Sequence, residues 1–418
     1  MADFDRGYGL AANSVLVVDE AGMVPTRQMA RMAEVCEQTG AKLVLVGDDR
    51  QLPEIDAGGA FRGLADRLGA SELTESRRLA DTAEFALQQE LRLGRPQAWL
   101  EHADEQGRLV LEHGHDATYS RLVSDRAHGR DQLAAAASPG AGEPEAVILA
   151  PTREAAAQLN VRAQVYARDA GRLGDQALEL GGVRFSAGDR ILCLENRERD
   201  IGVLNGQRGT VTALEPDTFS LRVEIDGHGE RVLPGSYIED GHVGLGYAMT
   251  VHKSQGMTAD RTYVLGSEDH YRELGYTALS RHRDECRFYV NAGEPAAGQL
   301  ELEIAGQQRD EVRTRIERAL GRERAQQMAL DVHETDQALR DLPDTELANR
   351  GGRLEELLAS FPAEVKAAEL RAGELARQAE HIQAAEQRLQ AWQTKRDRLG
   401  VLNSRPRSRP ARSPRSSG

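Results

Sequence analysis

Val15-Leu-Val-Val-Asp-Glu20 and Leu43-Val-Leu-Val-Gly-Asp48 are two short apolar runs, rich in β-branched residues, that both run into acidic residues. Between them, Arg27 to Gln38 reads as a helix, opened by Pro25-Thr26 and closed before Gly40. Strand, helix, strand with continuous apolar strands points to parallel strands buried on both faces. Open parallel sheets place their ligand-binding groups at the carboxyl ends of the strands. Asp19-Glu20 falls at such an end, with an ordinary strand terminus as the alternative reading.

The pattern continues outward. Asp81 to Trp99 reads as helical, and Ala134 to Pro144, rich in Ala, Gly and Pro, reads as a linker. Val147-Ile-Leu-Ala150 opens a second α/β unit, followed by a helix over Arg153 to Arg168. Residues 183–240 change character, with short strands predicted at Arg190 to Leu194, Gly209 to Leu214, Ser220 to Ile225 and Glu230 to Leu233. Asp226-Gly227 sits between the last two as a hairpin turn. The expectation is a small β-barrel inserted into the second α/β unit, whose sheet resumes at Tyr263 to Leu265 and Arg287 to Val290. From about residue 300, Ala, Glu, Arg, Gln and Leu dominate. Ala368, Leu375, Ile382 and Leu389 recur every seventh residue, as in a coiled coil. The last residues, 404–415, are dominated by Arg, Ser and Pro, a composition that cannot build a core and is expected to be disordered.

With 418 residues the chain is long enough for several domains, and 40% hydrophobic residues can fill sizeable cores. No apolar run approaches a membrane span, and the three cysteines form no C-x-x-C pair, which together predict a cytoplasmic protein without a disulfide framework. A net charge of −14 argues against a protein that coats DNA through a broad basic surface. It leaves room for one that grips a single strand in a narrow channel. His113-Gly-His115 lacks a third histidine in a matching pattern and reads as a surface loop rather than a metal site.

Four further stretches carry chemistry. Val46-Gly-Asp-Asp-Arg-Gln-Leu-Pro53 resembles helicase motif III of superfamily 1, with Gln51 as the phosphate-sensing amide. Leu73-Thr-Glu-Ser-Arg-Arg78 resembles motif IV, whose closing arginine contacts the γ-phosphate. That role falls to Arg78, with Arg77 as the alternative. Thr250-Val-His-Lys-Ser-Gln-Gly256 resembles motif V of the RecD-like branch. Tyr276-Thr-Ala-Leu-Ser-Arg-His-Arg283 resembles motif VI, whose arginine finger would be Arg281, with Arg283 the runner-up.

The resemblance covers about residues 10–295 and implies a fold, a chemistry and partners. The fold would be α/β, with two RecA-like motor domains. The first, residues 1–146, would be incomplete. The second, residues 147–295, would carry an SH3-like insert at about 183–240. A helical extension over 296–400 and a basic tail over 401–418 would follow. ATP and Mg2+ would be the cofactors. Asp19 would hold Mg2+, through water, and Glu20 would polarise the attacking water. Gln51, Arg78, Gln255, Gly256 and Arg281 would surround the nucleotide. Thr250, His252 and Lys253 would contact single-stranded DNA, as would Thr152, which reads equally as a helix N-cap.

A motor of this kind also needs G-x-x-x-x-G-K-[ST] to cradle the phosphates. The chain has four lysines, Lys42, Lys253, Lys366 and Lys395, and none follows a glycine. The expectation is therefore a fragment of an ATP-dependent 5′-to-3′ DNA helicase, truncated before the Walker A loop and inactive alone. Val15 to Val24, Gly58-Gly-Ala-Phe61 and the region from Leu342 to Pro362 look like the C-terminal part of conjugative relaxase-helicases of the MobF (TraA/TraI-like) type. That resemblance implies a role in plasmid transfer and an upstream relaxase or P-loop polypeptide as partner. A RecD-like repair helicase fragment and a non-catalytic DNA- or partner-binding module are the alternatives.

Overall fold

The computed structural model describes residues 10–324, apart from 54–58, 74–75, 77, 80, 138–143, 268–269 and 294–300. Side chains of the last helix are described from residue 309. The chain divides into two compact units, residues 1–331 and 332–418. The heptads at 365–389 and the basic tail lie outside the described residues.

β1 (Val15–Val18), α1 (Thr26–Thr39) and β2 (Lys42–Leu45) form the expected strand-helix-strand unit, with β1 and β2 parallel from Val15↔Lys42 to Val18↔Leu45. Gly40 takes the left-handed conformation (φ 73°) that ends α1. α2 (Ala60–Leu68) closes a small core of Ala21, Met29 and Ala60 with Val18, Leu45 and Phe61 around it. The expectation of burial on both faces fails here. Val15 and Val17 are 56% and 59% exposed, because no described element packs on their face.

The helical stretch expected over 81–99 is two helices, α3 (Thr82–Arg92) and α4 (Gln97–Glu105). Gly94 (φ 76°) and Pro96 interrupt it. β3 (Leu109–Glu112) and α5 (His115–Ala136) follow, then β4 (Ala146–Ala150) and α6 (Arg153–Asp169). Every residue of β4 is buried, as its unbroken apolar run requires.

Next come the hairpin β5 (Ala177–Leu180) and β6 (Val183–Ser186), and an antiparallel sheet in the order β10-β9-β8-β7-β11. Its strands are β7 (Arg190–Cys193), β8 (Arg208–Glu215), β9 (Ser220–Ile225), β10 (Gly229–Leu233) and β11 (Val243–Leu245). The single helical turn α7 (Gly235–Tyr237) lies between β10 and β11. Gly227 (φ 71°) makes the β9–β10 turn. The sheet has its own core, including Phe185, Ile191, Val211, Val223 and Leu233.

The chain then returns through β12 (Ala248–Thr250), β13 (Ala259–Leu265), α8 (Arg272–Leu279) and β14 (His282–Asn291). The resulting sheet, β12-β4-β13-β14-β3, is parallel throughout. Helices α5 and α6 cover one face through Leu122, Leu159 and Tyr263. The other face packs Trp99, Leu149, Val264 and Phe288. β3, which the sequence reading grouped with residues 1–146, is an edge strand of this second sheet, paired with β14. α5 packs on the same sheet.

α9 (Glu301–Gly321) docks on this second core. Val312, Ile316, Ala319 and Leu320, spaced to line one helix face, are all buried. Arg309 pairs with Asp104, and Gln97 Nε2 donates to Glu317 Oε1 at 2.5 Å. Gly275 of α8 marks the closest approach, since a Cβ there would lie 2.2 Å from Leu320 Cδ2. Leu320→Ala should destabilise the protein by about 2–4 kcal/mol in urea denaturation. Val161→Ala, on the exposed side of α6, should cost less than about 0.5 kcal/mol.

Candidate functional site

The carboxyl ends of β1 and β2 meet in a tight pair of loops. Asp19 is exposed, and its Oδ1 accepts the Glu20 N–H at 2.9 Å. Glu20 is held in the left-handed region (φ 49°, ψ 41°). This conformation is uncommon for a residue with a side chain and concentrates at functional turns. The Ala21 N–H donates to Val46 O at 2.8 Å. A Cβ on Gly47 would sit 3.1 Å from the Ala21 and Gly22 nitrogens, so the loops pack too closely for one without adjustment. Burial raises the Glu20 pKa. Arg281 and Arg78 pull it back, and Asp19 and Asp48 add to the rise. Gly256 (φ 77°) faces the same carboxylate, for a Cβ there would lie 3.5 Å from Glu20 Oε1.

Asp48, one residue beyond the Gly47 contact, gathers four donors. They are the Arg50 N–H (3.0 Å), Gln51 Nε2 (3.2 Å), Arg92 Nε (3.3 Å) and the Tyr276 hydroxyl (3.0 Å). Two further bonds tie this loop to the second sheet. The Leu52 N–H donates to Thr277 Oγ1 at 3.2 Å, and Gln255 Nε2 donates to Leu52 O at 3.4 Å. Gln51 and Gln255 thereby each commit their amide nitrogen. Each keeps a buried Oε1 with no hydrogen-bond partner among the described residues, which is costly unless a donor arrives.

Two arginines close the cleft. Arg281 is only 1% exposed and has no ion pair among the described residues. Its Nη2 donates to Ser280 Oγ at 3.2 Å, and its Nε has no partner. Burial, reinforced by the neighbouring Arg78 charge, lowers its pKa to about 10. Arg78 donates from Nε to Thr258 Oγ1 (3.0 Å) and from Nη1 to Ser280 O (2.6 Å), and burial lowers its pKa also. Two guanidiniums held by neutral oxygens form a ready site for an anion. Arg283 instead pairs with Asp260 at 3.2 Å on the surface, and Arg77 lies outside the described residues.

Glu84, 6% exposed, braces the loop that carries Arg281. It accepts both Arg108 Nη atoms at 3.1 Å and lies 3.5 Å from His282 Nε2. Burial opposes its ionisation, but His282 and Arg108 outweigh burial and hold its pKa at about 2.

The remaining candidates lie on the second sheet. Thr152 caps α6, accepting the Ala155 N–H at 3.1 Å, and its hydroxyl proton is still available to a ligand. Thr250 caps the short 3-10 turn Val251–Ser254, accepting the Lys253 N–H at 3.4 Å. His252 is half-buried, and burial lowers its pKa. Lys253 is exposed, its pKa lowered by burial and by Arg153. Thr152 and His252 line a cleft of about 620 Å3 at the carboxyl ends of β4, β13 and β14. Thr250 and Lys253 are not among its lining residues. His115 is, stacked on Tyr119 with ring centroids 3.9 Å apart. No metal-binding group of three His, Cys, Asp or Glu occurs among the described residues, and no described helix is long and apolar enough to cross a membrane.

Sequence reading thus brought Glu20, Gln51, Arg78, Gln255, Gly256 and Arg281 to one region. It missed Asp48, Arg92, Tyr276, Thr277 and Glu84. Asp48, Tyr276 and Thr277 lay inside quoted motifs, whereas Arg92 and Glu84 carried no local signal.

Strand-end carboxylates of the first sheet thus lie near Arg281, at the start of β14 in the second sheet, and Arg78, just ahead of α3. Residues 3–114 match the family model for an AAA domain, and residues 245–289 match that for a UvrD-like helicase C-terminal domain. Conjugal transfer protein TraA of Agrobacterium fabrum (strain C58 / ATCC 33970) is 34% identical over 290 residues, covering 68% of this chain and 25% of TraA. The RecBCD enzyme subunit RecD of Mycolicibacterium smegmatis is 32% identical over 296 residues, covering 66% of this chain and 50% of RecD. Among solved structures, a Bacteroides Pif1 helicase in complex with ADP-AlF3 and ssDNA is 18% identical, with 71% of this chain and 75% of Pif1 covered and a TM-score of 0.40. The TraA conjugal transfer proteins and the RecD helicases are homologues of this chain. It spans about a quarter of the length of the TraA relatives it matches.

The depressed Glu84 pKa has a defined consequence. A carboxylate whose pKa falls on folding stabilises the protein above its unfolded value of 4.5 and loses that contribution as pH drops through about 2. Glu84→Gln should therefore lower stability at pH 7 and flatten the acid limb of the stability curve between those values, as followed by urea denaturation against pH.

Proposed function

We propose that these residues form the γ-phosphate side of an ATP-dependent helicase motor that moves 5′ to 3′ on single-stranded DNA and serves conjugative transfer. The observation that carries this is Arg281, a buried guanidinium with an unpartnered Nε, close enough to Glu20 to pull its pKa down and to Arg78 to have its own lowered by that charge. Such a group meets a transferring phosphoryl oxygen without prior desolvation.

ATP and Mg2+ fit the residues present. Asp19 is an exposed strand-end carboxylate with no ion pair among the described residues, suited to holding Mg2+ through water. Bound Mg2+ would neutralise phosphate charge. Glu20, its pKa raised, is suited to accept a proton from the attacking water. The free Gln51 Oε1 can orient that water. Arg78 and Arg281 would hold the γ-phosphate, with Gln255 and Gly256 closing the nucleotide side. Thr152, Thr250, His252 and Lys253 would track the DNA strand. In this reading the first sheet belongs to one RecA-like domain, the second to another. The antiparallel sheet over 190–245 is an SH3-like insert, and the residues beyond α9 are a coiled-coil extension and a basic tail.

These 418 residues hold no Gly-Lys pair and so no Walker A lysine. We infer that the phosphate cradle comes from a further polypeptide segment, such as the P-loop region of a relaxase-helicase. The exposure of Val15 and Val17 supports this, since a parallel strand of this composition is ordinarily covered on both faces. The TraA relatives, at 34% identity, favour conjugation over the repair role that the RecD relative, at 32%, would suggest.

The test is ATP turnover with and without a single-stranded oligonucleotide. The 418-residue chain should show none above background. Fusion to a P-loop segment from a TraA relative should restore it, and Arg281→Ala in that fusion should lower kcat by roughly 10^3-fold or more. DNA-stimulated turnover by the chain alone would overturn the incomplete-site reading. An unchanged kcat in the variant would overturn the role of Arg281.

A further inference from the structure

The 620 Å3 cleft is not built from the motor strands alone. Helix α9, which lies beyond the UvrD-like match at 245–289, contributes Val312, Arg315 and Ile316 to its lining. These residues stand at i, i+3 and i+4, on one helix face. Val312 and Ile316 are buried in the second core, and Arg315 is exposed between them. Arg324, three residues past the helix end, lines the same cleft, with its guanidinium 5.2 Å from the Tyr271 ring centroid.

The turn carrying Arg324 is pinned. The Arg324 N–H donates to Glu273 Oε2 at 3.0 Å. Its neighbour Glu323 pairs with Arg272 at 2.6 Å and with Arg62 at 2.7 Å. The cleft therefore joins three kinds of surface. Leu265, Val290, Val312 and Ile316 are apolar. Tyr271 and the exposed His115 present aromatic surface, His115 being stacked on the buried Tyr119, whose ring also carries Arg162 5.5 Å from its centroid. Arg315 and Arg324 supply positive charge. Among the described residues lining the cleft there is no carboxylate, in a chain of net charge −14. Glu268 and Asp269, which follow Ser267 in sequence, lie outside the described residues.

We propose that α9 is a working wall of the nucleic-acid groove, with Arg315 and Arg324 binding backbone phosphates of a single strand whose bases meet Tyr271 and His115. Flat aromatic and apolar surface beside fixed positive charge is the chemistry that accepts unpaired bases and their phosphates. An acidic peptide would use the arginines but has no use for the ring faces. The proposal rests on the reading that this chain grips a strand through Thr152 and His252, and the test separates the two.

The experiment is fluorescence anisotropy of a labelled oligo-dT with the full 418-residue chain across a salt series. Arg315→Ala/Arg324→Ala should weaken binding by about tenfold or more. It should also reduce the salt slope by about 1.4, the value for two phosphate contacts on a single strand. Both side chains are exposed and Arg324 gives up only its contact with the Tyr271 ring, so the thermal midpoint should fall by a few degrees at most, and Arg315→Lys/Arg324→Lys should recover most of the affinity. If His252→Ala weakens binding while the double alanine variant keeps wild-type affinity and slope, the role of α9 is overturned and the strand-binding reading stands. If the wild-type chain fails to bind oligo-dT even at low salt, both are overturned. Displacement of oligo-dT by poly-glutamate as readily as by unlabelled oligo-dT would also overturn the proposal, by showing a general polyanion face.

Discussion

Arg281 carries a positive charge to a position where 1% of its surface meets water and no described carboxylate is within ion-pair reach. A buried ion without a direct counter-charge is costly, and several features share that cost. The Ser280 hydroxyl accepts one Nη proton, and Glu20 and Asp48 act through space. The nearby Arg78 worsens the balance rather than relieving it. A polyanion seated between the two guanidiniums would remove the imbalance, so the cleft is electrostatically incomplete until one binds. The unpaired Gln51 and Gln255 carbonyls, oriented by the same loop, are a separate deficit, since these acceptors need a donor such as water rather than an anion.

That charge stays in place because of a polar clamp around Asp48. Its carboxylate takes donors from its own loop, from α3 through Arg92, and from α8 through Tyr276. Burial and the Asp48 charge push the Tyr276 hydroxyl pKa well above its usual range, so it remains a donor at any working pH. Glu84 does the equivalent task on the other side of Arg281, fixing the start of β14 through Arg108 and His282.

Much of this was legible in the sequence wherever the signal is local. β4 reads as a buried strand because five consecutive apolar residues allow nothing else, and the Asp226-Gly227 turn follows from glycine's freedom at positive φ. The motif residues converge because each ends a strand or opens a turn. Non-local features were not legible. Glu84 is separated from His282 by most of two sheets of sequence, and nothing about a Glu on a helical stretch announces a buried partner. β3 is four residues long, and only pairing with β14 assigns it to the second sheet. Val15 and Val17 mark the limit of hydrophobic patterning. Such a run shows which residues favour burial, not whether the described residues supply the covering layer.

The same packing that was invisible in sequence also ties the Asp48–Leu52 loop to α9. All eight residues of α8 are buried, and its Tyr276 and Thr277 bond to the Asp48–Leu52 loop. A close-packed helix cannot absorb a displacement by local bending, so a shift imposed at Tyr276 moves α8 as a body. On its far side α8 abuts α9 through Gly275 and Leu320, and Arg272 and Glu273 hold the turn that carries Glu323 and Arg324. Glu323 also reaches back to Arg62 of α2, which packs under the β1 and β2 strand ends. α9 and the Asp48–Leu52 loop are thus joined twice, once through the body of α8 and once through the Arg62–Glu323–Arg272 pairs. Relative motion of the two sheets would have to break the exposed ion pairs while α8 and α9 moved together. Partly exposed pairs are individually weak and exchange readily with water, whereas separating the Leu320 contact would open a cavity. Any relative motion of the two sheets would therefore have to exchange the Arg62–Glu323 pair and the hydrogen bonds of Tyr276 and Thr277 to the Asp48–Leu52 loop, with α8 and α9 travelling as one piece.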